Sequence, residues 1–175
     1  MTINRILIVG AIVAIALSLP FFGPSWNKLM HLLGSILFMG NIMVSAVWMS
    51  LARRSRAPEA VRLGVRGVVL TDAVFTFPGS LLLLLNGGIL ATPYFKLHAT
   101  WVFVSLGLFA VTGVLWGAVL VPVQRRLSAA MGKMPAGGPL PAGVEGLIAT
   151  WFRVGGITLL LPLIVLVLMV LKPSF

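Results

Sequence analysis

The chain has no cysteine among its 175 residues, and only three of its side chains are acidic. The absence of cysteine excludes disulfides, iron–sulfur clusters, thiolate zinc sites and cysteine nucleophiles. The acids Glu59, Asp72 and Glu145 are too few for the paired carboxylates of hydrolases, so hydrolytic acid–base chemistry is not expected. The sequence also contains no phosphate-binding glycine loop and no nucleophile elbow.

Charged residues are scarce: they make up 9% of the chain, against 59% hydrophobic residues and a mean hydropathy of +1.11. A soluble domain has about a quarter of its residues charged. The formal net charge of +10 would suit nucleic acid as a partner, but the basic residues fall between apolar runs too long for a soluble fold. We therefore expect an all-α integral membrane protein whose partner is the lipid bilayer and not nucleic acid.

Five apolar runs are each near the ~20 residues that cross a bilayer as a helix. They predict five transmembrane helices at about 6–22, 29–51, 67–90, 97–121 and 147–171. The last four are expected to form a four-helix bundle core, and the first to be an uncleaved span at its periphery. The chain is then a single transmembrane domain, 1–175, with connecting loops at 52–66 and 122–146. Within the first loop, Pro58 and Glu59 predict a helical lead-in to the third span.

The distribution of lysine and arginine predicts the orientation of these helices. Positive charge is concentrated in the two loops, at Arg53, Arg54, Arg56, Arg62, Arg66, Arg125, Arg126 and Lys133, and at Arg5 before the first span. The opposite side has only Lys28, Lys96 and Lys172. Because cytoplasmic segments carry the excess of positive charge, we expect the N-terminus inside and the C-terminus outside.

Two histidines near the start of the second and fourth spans are the candidate ligands of a metal or cofactor. His31 follows Lys28, and His98 follows Lys96. Both histidines are on the faces with the small and weakly polar residues that membrane helices bury. The expected inward faces are His31, Ser35, Phe38, Ile42 and Ser45 in the second span, Asp72, Thr76, Gly79, Leu83 and Asn86 in the third, and His98, Ser105 and Thr112 in the fourth. The two spans are predicted to be parallel, so both imidazoles are expected at a similar depth. This arrangement suits axial ligation of a haem b in a helix bundle, with the lysines near the propionates.

Three further residues are candidates for the same haem site. Gly34 would let a flat ring approach the backbone of the second span, and Trp101 would form an apolar wall. Asn86 is expected in the same layer as the two histidines. The alternative is that both histidines only anchor the helices at the membrane interface beside snorkelling lysines.

An acid and a base are also predicted within the spans, at Asp72 and Arg153. Each is expected to lie roughly 8–9 Å into its span, given ~1.5 Å per residue. Because a charge inside the membrane needs a partner, we expect a structural ion pair between Asp72 and Arg153. A proton or substrate path through the same residues is the functional alternative.

Copper is the alternative metal. Met30 adjoins His31, and Met39 and Met43 are one helical turn apart, so thioethers and an imidazole suited to Cu(I) occur on one span. The same methionines would equally serve as packing residues. A third possibility is a cofactor-free membrane scaffold or partner subunit. Whether the protein is an enzyme, and whether it has a redox partner or forms a homo-oligomer, stays open.

The order of several short motifs resembles an uncharacterised family of integral membrane proteins, domain of unknown function 2269. The motifs are His31-Leu32-Leu33-Gly34, Asp72 with Pro78, Trp101, Ser105, Phe109, Gly113 and Trp116, Pro122-Val123-Gln124-Arg125-Arg126, and Leu168-Met169-Val170-Leu171-Lys172-Pro173. The resemblance covers about residues 26–173.

That family is similar to a wider group that includes copper-resistance D membrane proteins and the membrane protoporphyrinogen oxidase that binds haem b. The resemblance implies a bacterial inner-membrane location, a four-helix core, and a haem or copper role. His31 matches the early histidine of the group, whereas the later lysine of the oxidase has no clear match. Protoporphyrinogen oxidation is therefore not implied for this chain.

Overall fold

The computed structural model describes residues 2–19, 22–92 and 100–174, and the regular elements among these residues are all helices, with no strand. The helices are α1 (Ile3–Leu17), α2 (Pro24–Arg54), α3 (Pro58–Thr71), α4 (Phe77–Ala91), α5 (Thr100–Leu115), α6 (Val121–Lys133) and α7 (Val144–Leu171). A π-helical segment, Asp72–Thr76, joins α3 to α4, and a second one, Trp116–Leu120, joins α5 to α6.

Four continuous helices among the described residues are long and apolar enough to cross a membrane. They are Pro24–Arg54, Pro58–Ala91, Thr100–Lys133 and Val144–Leu171. The expectation of several membrane-spanning helices is therefore confirmed for four of the five predicted spans. The first span corresponds to α1, which has only 15 residues and is shorter than the ~20 that a bilayer requires.

Two helix boundaries differ from the predicted ones in ways that affect the candidate site. Helix α2 begins at Pro24 and not near residue 29, since proline is favoured in the first turn of a helix. His31 is therefore about two turns inside the helix. Residues 122–133, predicted as part of a loop, are helical through Lys133, because buried apolar positions continue there at helical spacing. The predicted helical lead-in at Pro58 and Glu59 is confirmed.

Each π-helical segment ends two residues before a proline. Asp72–Thr76 precedes Pro78, and Trp116–Leu120 precedes Pro122. A proline inside a helix has no N–H to donate, and its ring collides with the carbonyl of the residue four positions earlier. The wider π turn accommodates both effects without breaking the helix, so these two segments are the response of long membrane helices to an internal proline.

Contacts between residues divide the chain into two compact units. The first comprises Met1–Ile42, Leu70–Phe103 and Pro173–Phe175, and the second comprises Met43–Val69 and Val104–Lys172. The second unit has an apolar core of residues from α2, α3, the second π-helical segment, α6 with the residue after it, and α7: Met49, Val61, Val65, Val68, Leu120, Val123, Leu127, Met131, Met134, Val144, Ile148 and Trp151. The first unit contains most of the buried polar side chains and is described below.

In the second unit, two charged residues of α3 hold the connection between α6 and α7. Arg62 donates to the carbonyl oxygens of Met134 and Pro135, and its Nε lies 3.3 Å from Glu59 Oε2. Glu59 Oε1 in turn accepts a hydrogen bond from the N–H of Gly137. Residues 134–137, which lie in the predicted loop 122–146, are thus tied to α3.

We expect Arg62→Gln to speed cleavage of the connection between α6 and α7 by a nonspecific protease, because the 134–135 carbonyls lose their donor. Arg53→Gln is the matched control. Its ion pair with Glu145 (3.1 Å) is largely exposed, and such pairs contribute about 0–1 kcal/mol. Limited proteolysis of the two variants in detergent measures the difference. Equal cleavage rates would contradict the proposed tie.

Candidate functional site

In the first unit, α2 and α4 cross at two glycines. A methyl group on Gly34 would lie 2.8 Å from the carbonyl oxygen of Gly79 and 2.8 Å from the backbone nitrogen of Leu83. A methyl group on Gly79 would lie 2.9 Å from the backbone nitrogen of Phe38. Small residues allow membrane helices to approach this closely, so Gly34 and Gly79 set the distance between the two helices.

On one side of this crossing lies a buried group of three polar side chains, Ser18, Asn27 and Asn86, which we name the asparagine cluster. Asn27 Nδ2 donates to Asn86 Oδ1 (2.8 Å), and Asn86 Nδ2 donates to Ser18 Oγ (2.7 Å) and to the Leu82 carbonyl (2.9 Å). Asn86 is 0% exposed. The cluster joins α2 and α4 to the residue that follows α1, and its polar groups are paired as burial requires.

His31 lies next to this cluster and packs flat against α4. Its Nδ1 lies 2.9 Å from the carbonyl oxygen of Leu83, and a methyl group on Gly87 would lie 2.9 Å from its Cε1. A carbonyl oxygen only accepts, so Nδ1 must carry the hydrogen. In the neutral imidazole the lone pair is then on Nε2. This is the orientation in which a backbone carbonyl commonly holds a metal-ligating histidine.

On the other side of the crossing lies a second buried group, Asn41, Asp72 and Thr76, which we name the aspartate cluster. Asp72 Oδ1 accepts hydrogen bonds from Asn41 Nδ2 (3.0 Å) and Thr76 Oγ1 (2.8 Å), and Asn41 Nδ2 lies 2.8 Å from Thr76 Oγ1. Asp72 is 8% exposed and is the first residue of a π-helical segment. A carboxylate at mid-bilayer costs about 2.5–3.5 kcal/mol on insertion scales, so such residues generally have partners and a function.

The sequence-predicted haem residues occupy different environments. Lys28 is exposed one turn before His31, and Trp101 is half-buried in the first turn of α5. The structure gives Gly34 and Asn86 other roles, in the helix crossing and in the asparagine cluster. Atoms of α4 lie directly against the Gly34 backbone, on the side where a methyl group would be. Lys96 and His98 lie outside the described residues.

The predicted pair of Asp72 with Arg153 stays a prediction. Asp72 belongs to the first unit, where Asn41 and Thr76 bond to it. Arg153 belongs to the second unit, is exposed, and donates from Nε to the carbonyl of Ala149, 3.4 Å away.

Three polar residues of these clusters were not predicted from the sequence: Ser18, Asn27 and Asn41. The two asparagines could have been found, because they lie on the same face of α2 as Gly34, Phe38 and Ser45, at steps of three or four residues. No pattern in the sequence predicts that Ser18 is buried, because after its first turn α1 is apolar on all faces.

A comparison with known families identifies the chain. Residues 26–173 match the model of a family described as "Predicted integral membrane protein (DUF2269)". The chain belongs to this family. Membership and the four long apolar helices together establish a multi-pass membrane protein. No curated protein and no solved structure matches the chain.

The matched region of this DUF2269 member contains all of α2 from Trp26 onward, and hence His31, both asparagines of α2 and the aspartate cluster. Only Ser18 of the buried polar groups described above precedes it. Among the described residues, no three histidine, aspartate or glutamate side chains are grouped so that they could hold a metal ion.

Proposed function

We propose that this protein is a haem b-binding, cytochrome-b-like membrane protein, in which His31 supplies one axial ligand and His98 the other. When bound, haem b would supply electron transfer or haem-linked oxidation. We also propose that the protein lies in the bacterial inner membrane, as the resemblance to the wider group implies. The positive charge of the loops favours a cytoplasmic N-terminus.

The observation that supports this function best is the hydrogen bond between His31 Nδ1 and the Leu83 carbonyl. It holds the imidazole in one tautomer and leaves the Nε2 lone pair for a ligand. Gly87 has no side chain, so the ring rests directly on the backbone of α4. Both features fix the orientation of the ring, which is what axial ligation requires.

The other residues predicted for the haem site differ in how well their surroundings suit a haem. Lys28 is exposed one turn before His31, where a propionate carboxylate would find a cation. Gly34 and Asn86 contact atoms of α4 and of the asparagine cluster, so their surroundings add no support to their proposed place beside the haem. The supported part of the site is therefore His31 with Leu83, Gly87 and Lys28 around it.

Copper handling is the alternative function, through Met39 and Met43. Met39 is half-buried and Met43 is 44% exposed on α2. Among the described residues no three histidine, aspartate or glutamate side chains are grouped together, so a Cu(I) site on α2 would take its ligands from the thioethers and the His31 imidazole. Stoichiometric Cu(I) retention that is lost in Met39→Leu and Met43→Leu would support it over haem.

We expect the full-length protein, purified in detergent from a haem-replete host, to show a Soret band. His31→Ala should abolish the band, because the ligand is gone. Gly87→Ala should reduce it strongly, because the new methyl group would lie 2.9 Å from His31 Cε1 and displace the ring. Absorption spectra of equal amounts of protein measure both effects.

Gly88→Ala is the control for this series, because a methyl group there meets nothing within 4 Å. It should leave the Soret band unchanged. A folded wild-type protein that is colourless would refute haem binding, and it would favour the copper protein or the cofactor-free scaffold. Equal bands in Gly87→Ala and Gly88→Ala would refute the role of the packed imidazole.

The absence of cysteine makes the orientation simple to test. Single cysteines introduced at Ser55 and at Ser174 should react with a membrane-impermeant maleimide on opposite sides of the membrane. Labelling of both from one side of sealed vesicles would contradict the proposed topology.

A further inference from the structure

We propose that one end of the second unit binds the headgroups of anionic phospholipids. The surface concerned, which we name the basic belt, consists of exposed basic side chains: Arg54, Arg56, Arg66, Arg125, Arg126, Lys133 and Arg153. All of them belong to the second unit, whereas the proposed haem ligand His31 belongs to the first. The two proposals are therefore independent.

Contacts show that four helix termini meet at this end of the second unit. They join the end of α2 to the start of α7, the start of α3 to the end of α6, and α3 to α2. The pairs are Arg53 with Glu145, Arg62 with the Met134 carbonyl, and Gly64 with Ala52. These contacts give a common level from which depth along each helix can be counted.

Two arginines of the belt lie at the same depth. Arg126 is eight residues before Met134 in α6, and Arg153 is eight residues after Glu145 in α7. At ~1.5 Å per residue, both are roughly 12 Å from the helix termini. Beyond Arg153, α7 has no charged residue up to its end at Leu171, roughly 27 Å further. That length matches the ~30 Å hydrocarbon core of a bilayer, so Arg126 and Arg153 are level with the lipid headgroups.

Two side chains near this level have the features of a surface beside headgroups. Arg153 Nε donates to the carbonyl of Ala149, 3.4 Å away, so its guanidinium is directed away from the apolar part of α7, as in snorkelling. Trp48 is 45% exposed and lies five residues before Arg53, roughly 7–8 Å from the termini. Because tryptophan is enriched in the headgroup layer, this position favours a lipid over a soluble acidic protein as the partner.

The acidic residues of the second unit do not neutralise the basic belt. Glu59 and Glu145 are the only acids in its sequence, and they lie beside Arg62 and Arg53, at 3.3 Å and 3.1 Å. Within the part of the chain that the structure describes, no ion pair includes a member of the belt. Basic clusters next to membrane helices bind anionic headgroups, which would supply the missing negative charge.

The test is equilibrium binding of radiolabelled phosphatidylglycerol to the full-length protein in nonionic detergent, with unlabelled phosphatidylglycerol or phosphatidylcholine as competitor. We expect phosphatidylglycerol to compete more strongly, because only its headgroup has a net negative charge. Raising the salt concentration should weaken the binding, because exposed charges are screened.

The double variant Arg126→Gln with Arg153→Gln should weaken phosphatidylglycerol binding about thirtyfold, which corresponds to ~2 kcal/mol for the two charges. Arg126→Lys with Arg153→Lys should keep most of the binding, because the charges remain, and this separates lost charge from misfolding. Arg5→Gln with Lys172→Gln is the matched control. It removes two charges outside the belt and should leave the binding unchanged.

Equal competition by the two lipids would overturn the proposal, and so would an equal loss of binding in the two glutamine double variants. Displacement of the lipid by polyglutamate at a lower concentration than by phosphatidylglycerol would overturn it in favour of an acidic protein partner. Asp72→Asn should not change the binding. A gain in that variant would overturn the assignment of Arg153 to the belt, in favour of its predicted ion pair with Asp72.

Discussion

Replacing Gly34 by alanine is expected to destabilise the first unit by roughly 1–3 kcal/mol, the usual cost of overpacking. The new methyl group would lie 2.8 Å from two backbone atoms, Gly79 O and Leu83 N. Backbone cannot rotate away as a long side chain can, so α2 and α4 would have to separate. Unfolding in detergent by heat or denaturant measures the loss.

Gly40→Ala on the same helix is the matched control. A methyl group at Gly40 meets nothing within 4 Å. Alanine favours a helix over glycine by up to about 1 kcal/mol, so this variant should be as stable as the wild type or slightly more stable. If Gly34→Ala and Gly40→Ala unfold alike, the close approach of the two helices at Gly34 is refuted.

Asn86→Leu is the second substitution with a large expected effect. Asn86 is fully buried and joins Asn27, Ser18 and the Leu82 carbonyl. Leucine would leave the amide of Asn27 and the hydroxyl of Ser18 buried without this partner. A buried polar group that loses its hydrogen bond destabilises a protein by about 1–3 kcal/mol, which sets the upper limit for each of the two groups. Hydrogen bonds between membrane helices often contribute less, about 0.6 kcal/mol on average. The measured loss of stability therefore shows how completely water is excluded from the asparagine cluster.

Asn4→Leu controls for the change of residue type, because Asn4 is exposed on α1 and should tolerate leucine. The double variant Asn27→Leu with Asn86→Leu should lose less stability than the sum of the single variants, since both remove the same hydrogen bond. Additive losses would show that the two asparagines do not interact.

The sequence was sufficient to predict most of the polar residues that α4 and its π-helical segment bury. The inward face predicted there comprised Asp72, Thr76, Gly79, Leu83 and Asn86, and all of them are buried except Leu83, which is half-buried. The face predicted on α2 began from His31 and included Ser35, Phe38, Ile42 and Ser45. Phe38 and Ser45 are buried, whereas His31, Ser35 and Ile42 are half-buried. The buried face is Asn27, Met30, Gly34, Phe38, Asn41, Ser45, Met49 and Ala52.

The difference on α2 has a physical reason. The prediction for α2 started from His31 because of the chemistry of its side chain. The face that a membrane helix buries is instead determined by its smallest residues, which let the backbones approach closely. The face centred on Gly34 allows the closest approach to Gly79, so α2 turns that face inward and leaves His31 half-buried at its edge. A search for small residues at steps of three or four would have found Asn27 and Asn41.

The π-helical segments could not be located from hydropathy, which has no term for backbone hydrogen bonding. Their positions before Pro78 and Pro122 provide a local rule, but Pro162 lies within α7 without such a segment. Proline alone is therefore an insufficient predictor.

The glycine crossing also separates the two polar clusters electrically. Phe38 and Leu82, which flank the crossing, are only 5% and 3% exposed. At Gly34 and Gly79 the two helices are too close to admit one further carbon atom, so a water molecule does not fit between them. Between His31 and Asn41, roughly 15 Å along α2, this contact forms an insulating layer. Water or a proton could pass between the two clusters along this contact only if α2 and α4 moved apart at Gly34 and Gly79.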